Sequence, residues 1–287
     1  MGKSFFHIAG IDLELVFSKP ALQINGTEKQ FIVPRLNAPA DLSLEVGLVN
    51  SSSLLGRVAK AEKIFDSGGL YEVYVENEIK TIAVYNRADP SNQPYAMVQY
   101  SWQKKRGELL MATGSYGEGI SPDPFAYPLS ELLWIQLLSE CEGFILHAFA
   151  FEKNGQVDCF SGVSGAGKST MARQLQRLEP KTHLLSDDRV AIRRVQGKWM
   201  AYGTPWCGDA NVMSTGSGHL KSISFIRHSP DGQPHSDPLT AKAAIEMLLV
   251  RSFPAFYDAV AMKRMLDLSW DLCREIPFFD YAWVPHE

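Results

Sequence analysis

Cysteine is scarce in this chain of 287 residues, which contains only four. Cys141, Cys159, Cys207 and Cys273 are widely spaced and form no C-x-x-C pair, so the sequence indicates neither a zinc site nor a disulfide scaffold. Scattered single thiols are typical of proteins in a reducing compartment. We therefore expect a cytoplasmic protein.

Long apolar runs are also missing. Stretches such as 132–135 (LLWI) are interrupted by polar residues well before the roughly 20 residues that cross a bilayer. The N-terminus lacks a basic segment followed by a long apolar one, and Phe6 stands where an acylation motif needs Ser or Thr. We expect no signal peptide and no membrane partner.

Charge of one sign is not concentrated anywhere, and the formal net charge is only -4. The densest basic run, 104–106 (KKR), follows Trp102 and is more typical of a solvated hairpin end than of a nucleic-acid surface. The hydrophobic fraction of 45% is sufficient for buried cores. The sequence predicts a globular protein without a nucleic-acid partner.

The first part of the chain alternates apolar and polar residues, as half-buried strands do. Short polar turns join several of these segments, which favours antiparallel hairpins. The segments are 11–17, 71–76, 80–85, 95–102 and 108–113. No catalytic constellation is visible here, so we predict a β-rich accessory or substrate-recognition domain over 1–128.

A second domain is predicted over 129–287. A loop rich in Gly and Pro (114–128) precedes it, and a strongly apolar helix is expected over 129–142. The turn Asn154-Gly155 then predicts a hairpin of strands 144–152 and 156–161.

Residues 162–170 (GVSGAGKST) match the phosphate-binding pattern G-x-x-x-x-G-K-[ST] at every fixed position. Glycines let the backbone N–H groups converge on phosphate oxygens, and the start of the following helix adds its positive dipole end. The pattern therefore predicts a site for a nucleoside triphosphate. Its expected binding residues are Gly162, Ser164, Gly165, Ala166, Gly167, Lys168, Ser169 and Thr170.

The helix after this loop shows apolar residues at helical spacing and is expected to end at Pro180. An apolar run then ends in Asp187-Asp188, which is typical of a strand that delivers a carboxylate to Mg²⁺. One aspartate is expected to bind the metal together with Ser169. The other points the opposite way along an extended chain, unless a turn brings both inward.

The remaining chain predicts an α/β domain. Strands 190–195 and 198–202 should form a hairpin around Gln196-Gly197, and the glycine-rich segment 203–219 is expected to be mobile. The later elements are a strand at 222–226, helices at 239–251 and 255–273, and a strand at 278–284.

From Gly143 onward, the order of motifs resembles the catalytic domain of HPr kinase/phosphorylase and its relatives. Three segments carry the resemblance: Leu146-His147 before a hairpin, the glycine loop 162–169, and 187–190 (DDRV). In addition, 203–209 (GTPWCGD) is similar to a G-T-P-W-x-G-[ED] segment of uncharacterised bacterial members of that group. The resemblance implies a P-loop fold akin to the ATP-type phosphoenolpyruvate carboxykinases.

This resemblance also implies an ATP- and Mg²⁺-dependent phosphotransferase. Lys168 and the loop N–H groups would hold the β- and γ-phosphates, and Ser169 with Asp187 would bind Mg²⁺. An aspartate of the pair, for which we name Asp188 first, would accept the proton of a substrate hydroxyl. His147 would contact phosphate or orient an aspartate, although a buried structural histidine is the competing interpretation.

Three further residues are weaker candidates. Arg189 and Arg251 could stabilise the charge of the transferring group or form ordinary ion pairs, and Asp209 could face the substrate or belong to a structural turn.

The chain also departs from the family pattern. Val163 and Thr170 replace an Asp and a Glu, and the arginine-containing signature helix that recognises the partner protein is missing. The acceptor hydroxyl is therefore left open: a protein or peptide serine, or a small molecule. A homo-oligomer is one possibility that the resemblance implies. The alternatives are an ordinary P-loop small-metabolite kinase and a nucleotide-dependent regulatory module without an acceptor.

Overall fold

A computed structural model of the protein describes residues 2–18, 22–87, 93–114, 123–163, 165–179 and 181–284. The predicted nucleotide-binding residue Ser164, the predicted helix-ending Pro180 and part of the predicted boundary loop lie outside these ranges. The chain divides into two compact units, Met1–Trp134 and Ile135–Glu287. Each unit is built on a large mixed β-sheet with few helices, so the protein is of the general α/β class.

The first unit is organised around one sheet and one core-packed helix. Within the described residues, the sheet has nine strands in the order β3-β1-β2-β4-β9-β8-β7-β6-β5. Its strands are β1 (Gly2–Ile8), β2 (Ile11–Phe17), β3 (Ile32–Val33), β4 (Leu42–Val49), β5 (Glu62–Asp66), β6 (Tyr71–Glu76), β7 (Ile79–Tyr85), β8 (Pro94–Ser101) and β9 (Arg106–Ala112). Helix α1 spans Ser51–Val58, and a 3-10 turn spans Thr27–Phe31.

All five strands predicted for this unit are confirmed, as β2 and β6 to β9. The expected hairpin pairing is confirmed for β6 with β7 and for β8 with β9. Strand β2 forms an antiparallel hairpin with β1, a strand that the sequence did not predict, and pairs in parallel with β4 on its other side. Strand β4 also pairs in parallel with β9. Parallel neighbours need a long connection, and local sequence does not reveal which distant strands will pair.

Helix α2 (Leu129–Glu140) contains the division between the units, so the predicted boundary at 128/129 lies at its first residue. The predicted helix was two residues too long, because Glu142 adopts a left-handed conformation (φ 50°) that a helix does not continue through.

The second unit has a sheet whose strand order is β11-β10-β13-β14-β15-β18-β16, and β11 also pairs in parallel with β15. The pairing of β11 with β10 is antiparallel. The strands are β10 (Gly143–Lys153), β11 (Gln156–Ser161), β12 (His183–Ser186), β13 (Arg189–Val195), β14 (Lys198–Tyr202), β15 (Ser217–His228), β16 (His235–Pro238), β17 (Ser252–Phe253) and β18 (Phe278–Trp283). The helices are α3 (Lys168–Leu178), α4 (Ala241–Leu249) and α5 (Ala259–Glu275).

Both hairpins predicted for this unit are confirmed. Asn154 and Gly155 have φ values of 57° and 79°, and Gln196 and Gly197 have 49° and 75°. Two consecutive positive φ values are the requirement of a tight hairpin turn, which explains why residues of these types lie there. The first hairpin leads from β10 through β11 directly into the glycine loop.

Helices α4 and α5 begin later than the sequence predicted. Thr240 caps α4 by accepting a hydrogen bond from the N–H of Ala243, and Asp258 caps α5 by accepting from Val260 and Ala261. These short polar side chains satisfy N–H groups that have no partner inside the helix. Among the residues described, no helix is both long and apolar enough to span a membrane.

Candidate active site

The glycine loop leaves β11 and delivers the N-terminus of α3. Gly165 and Gly167 have φ values of 80° and 99°, a region that side chains with a Cβ rarely adopt. Gly167 is the residue before α3, and it offers no side chain to cap the helix. The first N–H groups of α3 therefore have no capping side chain on Gly167 and could donate to an anion.

Residues from the end of the chain hold the loop in this shape. The indole Nε1 of Trp283 donates a hydrogen bond to the carbonyl of Ala166 (2.8 Å), and a Cβ on Gly167 would overlap the indole ring. The ring of His228 stacks on Trp283 with centroids 5.5 Å apart, and its Nε2 lies 3.2 Å from the Gly165 carbonyl oxygen. The conformation of the loop therefore depends on β15 and β18 as well as on its own glycines.

Lys168 is buried at the base of the loop. Its Nζ donates to the carbonyl of Gly162 at 2.8 Å and more weakly to that of Val163 at 3.4 Å. Burial lowers the pKa of the ammonium, although the charge of Asp188 acts in the opposite direction. A phosphate oxygen among the loop N–H groups would be a charge-assisted partner for this ammonium.

The two adjacent aspartates have different environments. Asp188 accepts a hydrogen bond from His147, whose Nε2 lies 2.8 Å from Oδ1, and its Oδ2 contacts the guanidinium of Arg189. Burial opposes ionisation of Asp188, but the hydrogen bond from His147 and the charges of Arg189 and Lys168 keep its pKa below the ordinary value. Asp188 is thus an ionised carboxylate held by two side chains.

Asp187 is buried and accepts hydrogen bonds from the backbone. The N–H groups of Gly208, Ala210 and Val212 lie 2.9, 2.7 and 3.3 Å from its carboxylate oxygens. Three backbone donors account for most of what a carboxylate can accept, so this side chain fixes the segment 208–212. The divergence of the two aspartates is the one expected of consecutive residues in an extended chain.

Strand pairing explains why His147 meets Asp188. Strands β10 and β13 are antiparallel, with His147 opposite Arg189, and the N–H of Ala148 donates to the Asp188 carbonyl (3.1 Å). The Ser186 hydroxyl accepts from the N–H groups of both Asp188 and Arg189 and so defines the turn between β12 and β13. The motifs at 146–147 and 187–188 are distant in sequence but adjacent in the sheet.

The two candidate arginines lie beside this pair. Arg189 stacks over Phe253, with its guanidinium carbon 4.1 Å from the ring centroid. Arg251 donates from Nη1 to the carbonyl of Met247 (3.0 Å), and its buried Nε has no hydrogen-bond partner among the described residues. The charge of Arg251 reaches Lys168, where it lowers the pKa of the ammonium. Both arginines therefore add positive charge near the loop.

These groups surround one cavity of about 350 Å³. Among the described residues, its walls include most of the predicted site: His147, Gly165, Gly167, Lys168, Ser169, Thr170, Asp187, Asp188, Gly208 and the exposed Asp209. Gly162 and Ala166 shape the loop behind the cavity. Trp283, His228 and Ser186 were not predicted, because aromatic and hydroxyl residues far along the chain carry no local signal for such contacts.

A magnesium ion would find oxygen ligands in this cavity. No group of three or more His, Cys, Asp or Glu side chains suited to a metal occurs in the described ranges. The Ser169 hydroxyl and the carboxylates of Asp187 and Asp188 nevertheless line the same space, and Mg²⁺ typically takes one or two protein oxygens together with phosphate and water. The donor set therefore fits Mg²⁺ bound with a nucleotide.

Comparison of the chain with models of protein families and with curated protein sequences gave no match.

Proposed function

We propose that this protein is an ATP- and Mg²⁺-dependent phosphotransferase that moves the γ-phosphoryl group to a hydroxyl. We also propose that its second unit has the HPr kinase-like P-loop fold. The observation that supports the activity best is the shared cavity: the glycine loop and Lys168 line it together with the Asp188 carboxylate, which His147 holds at 2.8 Å. A phosphate cradle and a candidate proton acceptor are the two parts that transfer to a hydroxyl requires.

Each group has a role in this proposal. The N–H groups at the start of α3 and the Lys168 ammonium bind the β- and γ-phosphates, because both are positive and converge on one point. The Ser169 hydroxyl would hold Mg²⁺ together with phosphate oxygens and water, and the ion neutralises phosphate charge when bound. Asp187 stabilises the 208–212 segment through its three backbone hydrogen bonds, so it supports the site without direct contact with the metal.

The reaction step follows from the position of Asp188. The acceptor oxygen forms a bond to the γ-phosphorus while the bond from that phosphorus to the β–γ bridging oxygen breaks, and ADP leaves. Asp188 takes the proton of the acceptor hydroxyl and later returns it to solvent. His147 and Arg189 orient this carboxylate, one on each oxygen, so that an acceptor hydroxyl meets it from the cavity.

Two observations weigh against the alternatives. Strand β11, which leads into the loop, pairs antiparallel with β10 on one side and parallel with β15 on the other, whereas strands built from βαβ units have parallel neighbours. The carboxylate of Asp188, held by His147 and Arg189 beside the phosphate cradle, favours a phosphotransferase over a regulatory module, because transfer to a hydroxyl requires a proton acceptor. The nature of the first unit as an accessory or substrate-recognition domain remains a prediction.

The test is transfer of label from γ-radiolabelled ATP into a lysate of the native host. Wild-type protein should label a protein, peptide or small molecule. Lys168→Ala should not, and the exposed-lysine control Lys242→Ala should behave as wild type. Release of free phosphate alone, or ATP binding without any labelled product, would favour the regulatory module.

A further inference from the structure

An apolar groove of about 320 Å³ lies along α3 in the second unit. We call it the aromatic groove. It is lined by Phe149, Phe151, Phe160, Met171, Gln174, Leu175, Leu178, Pro234, Tyr281, Trp283 and Val284. Its volume falls at the lower end of the roughly 300–1,000 Å³ typical of small-molecule sites.

The floor of the groove consists of aromatic rings from neighbouring strands. The rings of Phe151 and Phe160 are nearly parallel (14°), with centroids 5.8 Å apart, and Phe149 lies 6.0 Å from Phe160. Tyr281 continues the row, 6.0 Å from Phe160. A flat ligand with a π-system stacks favourably on such a surface, because aromatic rings attract each other in offset arrangements.

The groove and the phosphate cavity are lined by neighbouring residues of α3. Thr170 lines the cavity and the next residue of α3, Met171, lines the groove. Trp283 forms part of the groove wall while its Nε1 binds the Ala166 carbonyl of the glycine loop. Because one residue of helix advances only about 1.5 Å, the cavity and the groove lie on adjacent parts of the first turn of α3.

Two polar groups in the groove could form hydrogen bonds with a ligand. The Gln174 amide and the Tyr281 hydroxyl make no hydrogen bond to any residue that the structure describes. An amide both donates and accepts, as does a hydroxyl, and the edge of a nucleobase presents both donors and acceptors. A mostly apolar pocket with a few convergent polar groups is the usual character of a ligand site.

We infer that the aromatic groove binds the base of the nucleoside triphosphate. This inference rests on the proposed function, since it needs the triphosphate on the glycine loop. The base stacks against the Phe160 and Tyr281 side of the groove, and Gln174 contacts its edge.

The test compares the affinities of Mg²⁺-ATP and Mg²⁺-tripolyphosphate, measured by titration calorimetry. Wild-type protein should bind ATP about tenfold or more tightly than tripolyphosphate, the factor expected from stacking one base. Gln174→Trp places a large side chain in the groove and should abolish this advantage while binding of tripolyphosphate stays unchanged. Arg173→Trp is the matched control, because Arg173 is exposed and outside the groove, and it should keep the advantage.

The outcomes distinguish failure of the proposed function from failure of the base site alone. If wild type binds neither compound, the proposed function fails and the base site fails with it. If tripolyphosphate binds but Gln174→Trp retains the full ATP advantage, the base lies elsewhere and the inference is overturned. Should Gln174→Trp fail to unfold cooperatively, Gln174→Ala decides: a several-fold loss for ATP alone supports the base site, and no loss overturns it.

Discussion

Replacement of Trp283 by Phe should weaken phosphate binding, although Trp283 lies 117 residues beyond the loop residue it contacts, Ala166. The change keeps an aromatic ring against Gly167 but removes the N–H that donates to the Ala166 carbonyl at 2.8 Å. Both residues are buried, so water does not readily replace the lost donor. The loop then loses a contact that fixes the positions of its N–H groups.

The size of the effect follows from the hydrogen bond. A buried carbonyl left without a partner costs about 1–3 kcal/mol, and we expect the free energy of unfolding to fall by that amount. Because the missing bond belongs to the loop, part of the cost falls on the conformation that binds phosphate. The dissociation constant of Mg²⁺-tripolyphosphate should therefore rise roughly five- to 100-fold.

The assays are urea unfolding and calorimetric titration with Mg²⁺-tripolyphosphate, a probe without a base that could contact the aromatic groove. Trp270→Phe is the matched control: Trp270 is 53% exposed on α5, and its replacement should change stability by no more than about 0.5 kcal/mol. Wild-type stability and affinity in Trp283→Phe would refute the claim that this hydrogen bond shapes the loop.

Three further predictions concern the same site. Gly167→Ala should lower the free energy of unfolding by about 1–3 kcal/mol and abolish ATP binding, because the new Cβ would overlap Trp283 and Gly167 also has a positive φ. Gly165→Ala should cost only the strain of its positive φ, because a Cβ there meets open space. Thermal unfolding and ATP titration distinguish the two variants. Asp187→Asn should lower the free energy of unfolding in urea by about 2–4 kcal/mol, because one acceptor oxygen becomes an NH₂ donor that faces the backbone N–H groups of 208–212. Wild-type stability would contradict this. His147→Leu removes the hydrogen bond that lowers the pKa of Asp188. The difference in unfolding free energy between wild type and variant should therefore be full above about pH 4 and shrink as the pH falls through the pKa of Asp188 in the folded protein. A difference that is independent of pH between 3 and 7 would contradict this.

Sequence was most informative where geometry is local. The pattern 162–170 and the turns Asn154-Gly155 and Gln196-Gly197 depend on φ values that only a few residue types adopt readily, and the structure shows positive φ at each turn and at Gly165 and Gly167. The helix after the loop and the strands around it were predicted for the same reason, since their apolar spacing is visible over a few residues.

Local sequence patterns did not predict the contacts between distant segments. Alternation predicted that Asp187 and Asp188 diverge, but which of them meets His147 depends on the strand register of β10 and β13 and on the 208–212 backbone that binds Asp187. The support that Trp283 gives the loop is equally nonlocal. In the first unit, the parallel pairing of β4 with β2 and β9 was missed because strand pairing depends on the whole sheet.

The measurement that tests the account most directly is Asp188→Asn assayed for both ATP binding and phosphoryl transfer. We expect ATP affinity to stay within a few-fold of wild type, because the loop and Lys168 bind the phosphates, while transfer of label from γ-radiolabelled ATP falls by about 10²–10⁴-fold, the usual contribution of a general base. Transfer at the wild-type rate by Asp188→Asn would contradict the proposed role of this carboxylate and, with it, the phosphotransferase site described above.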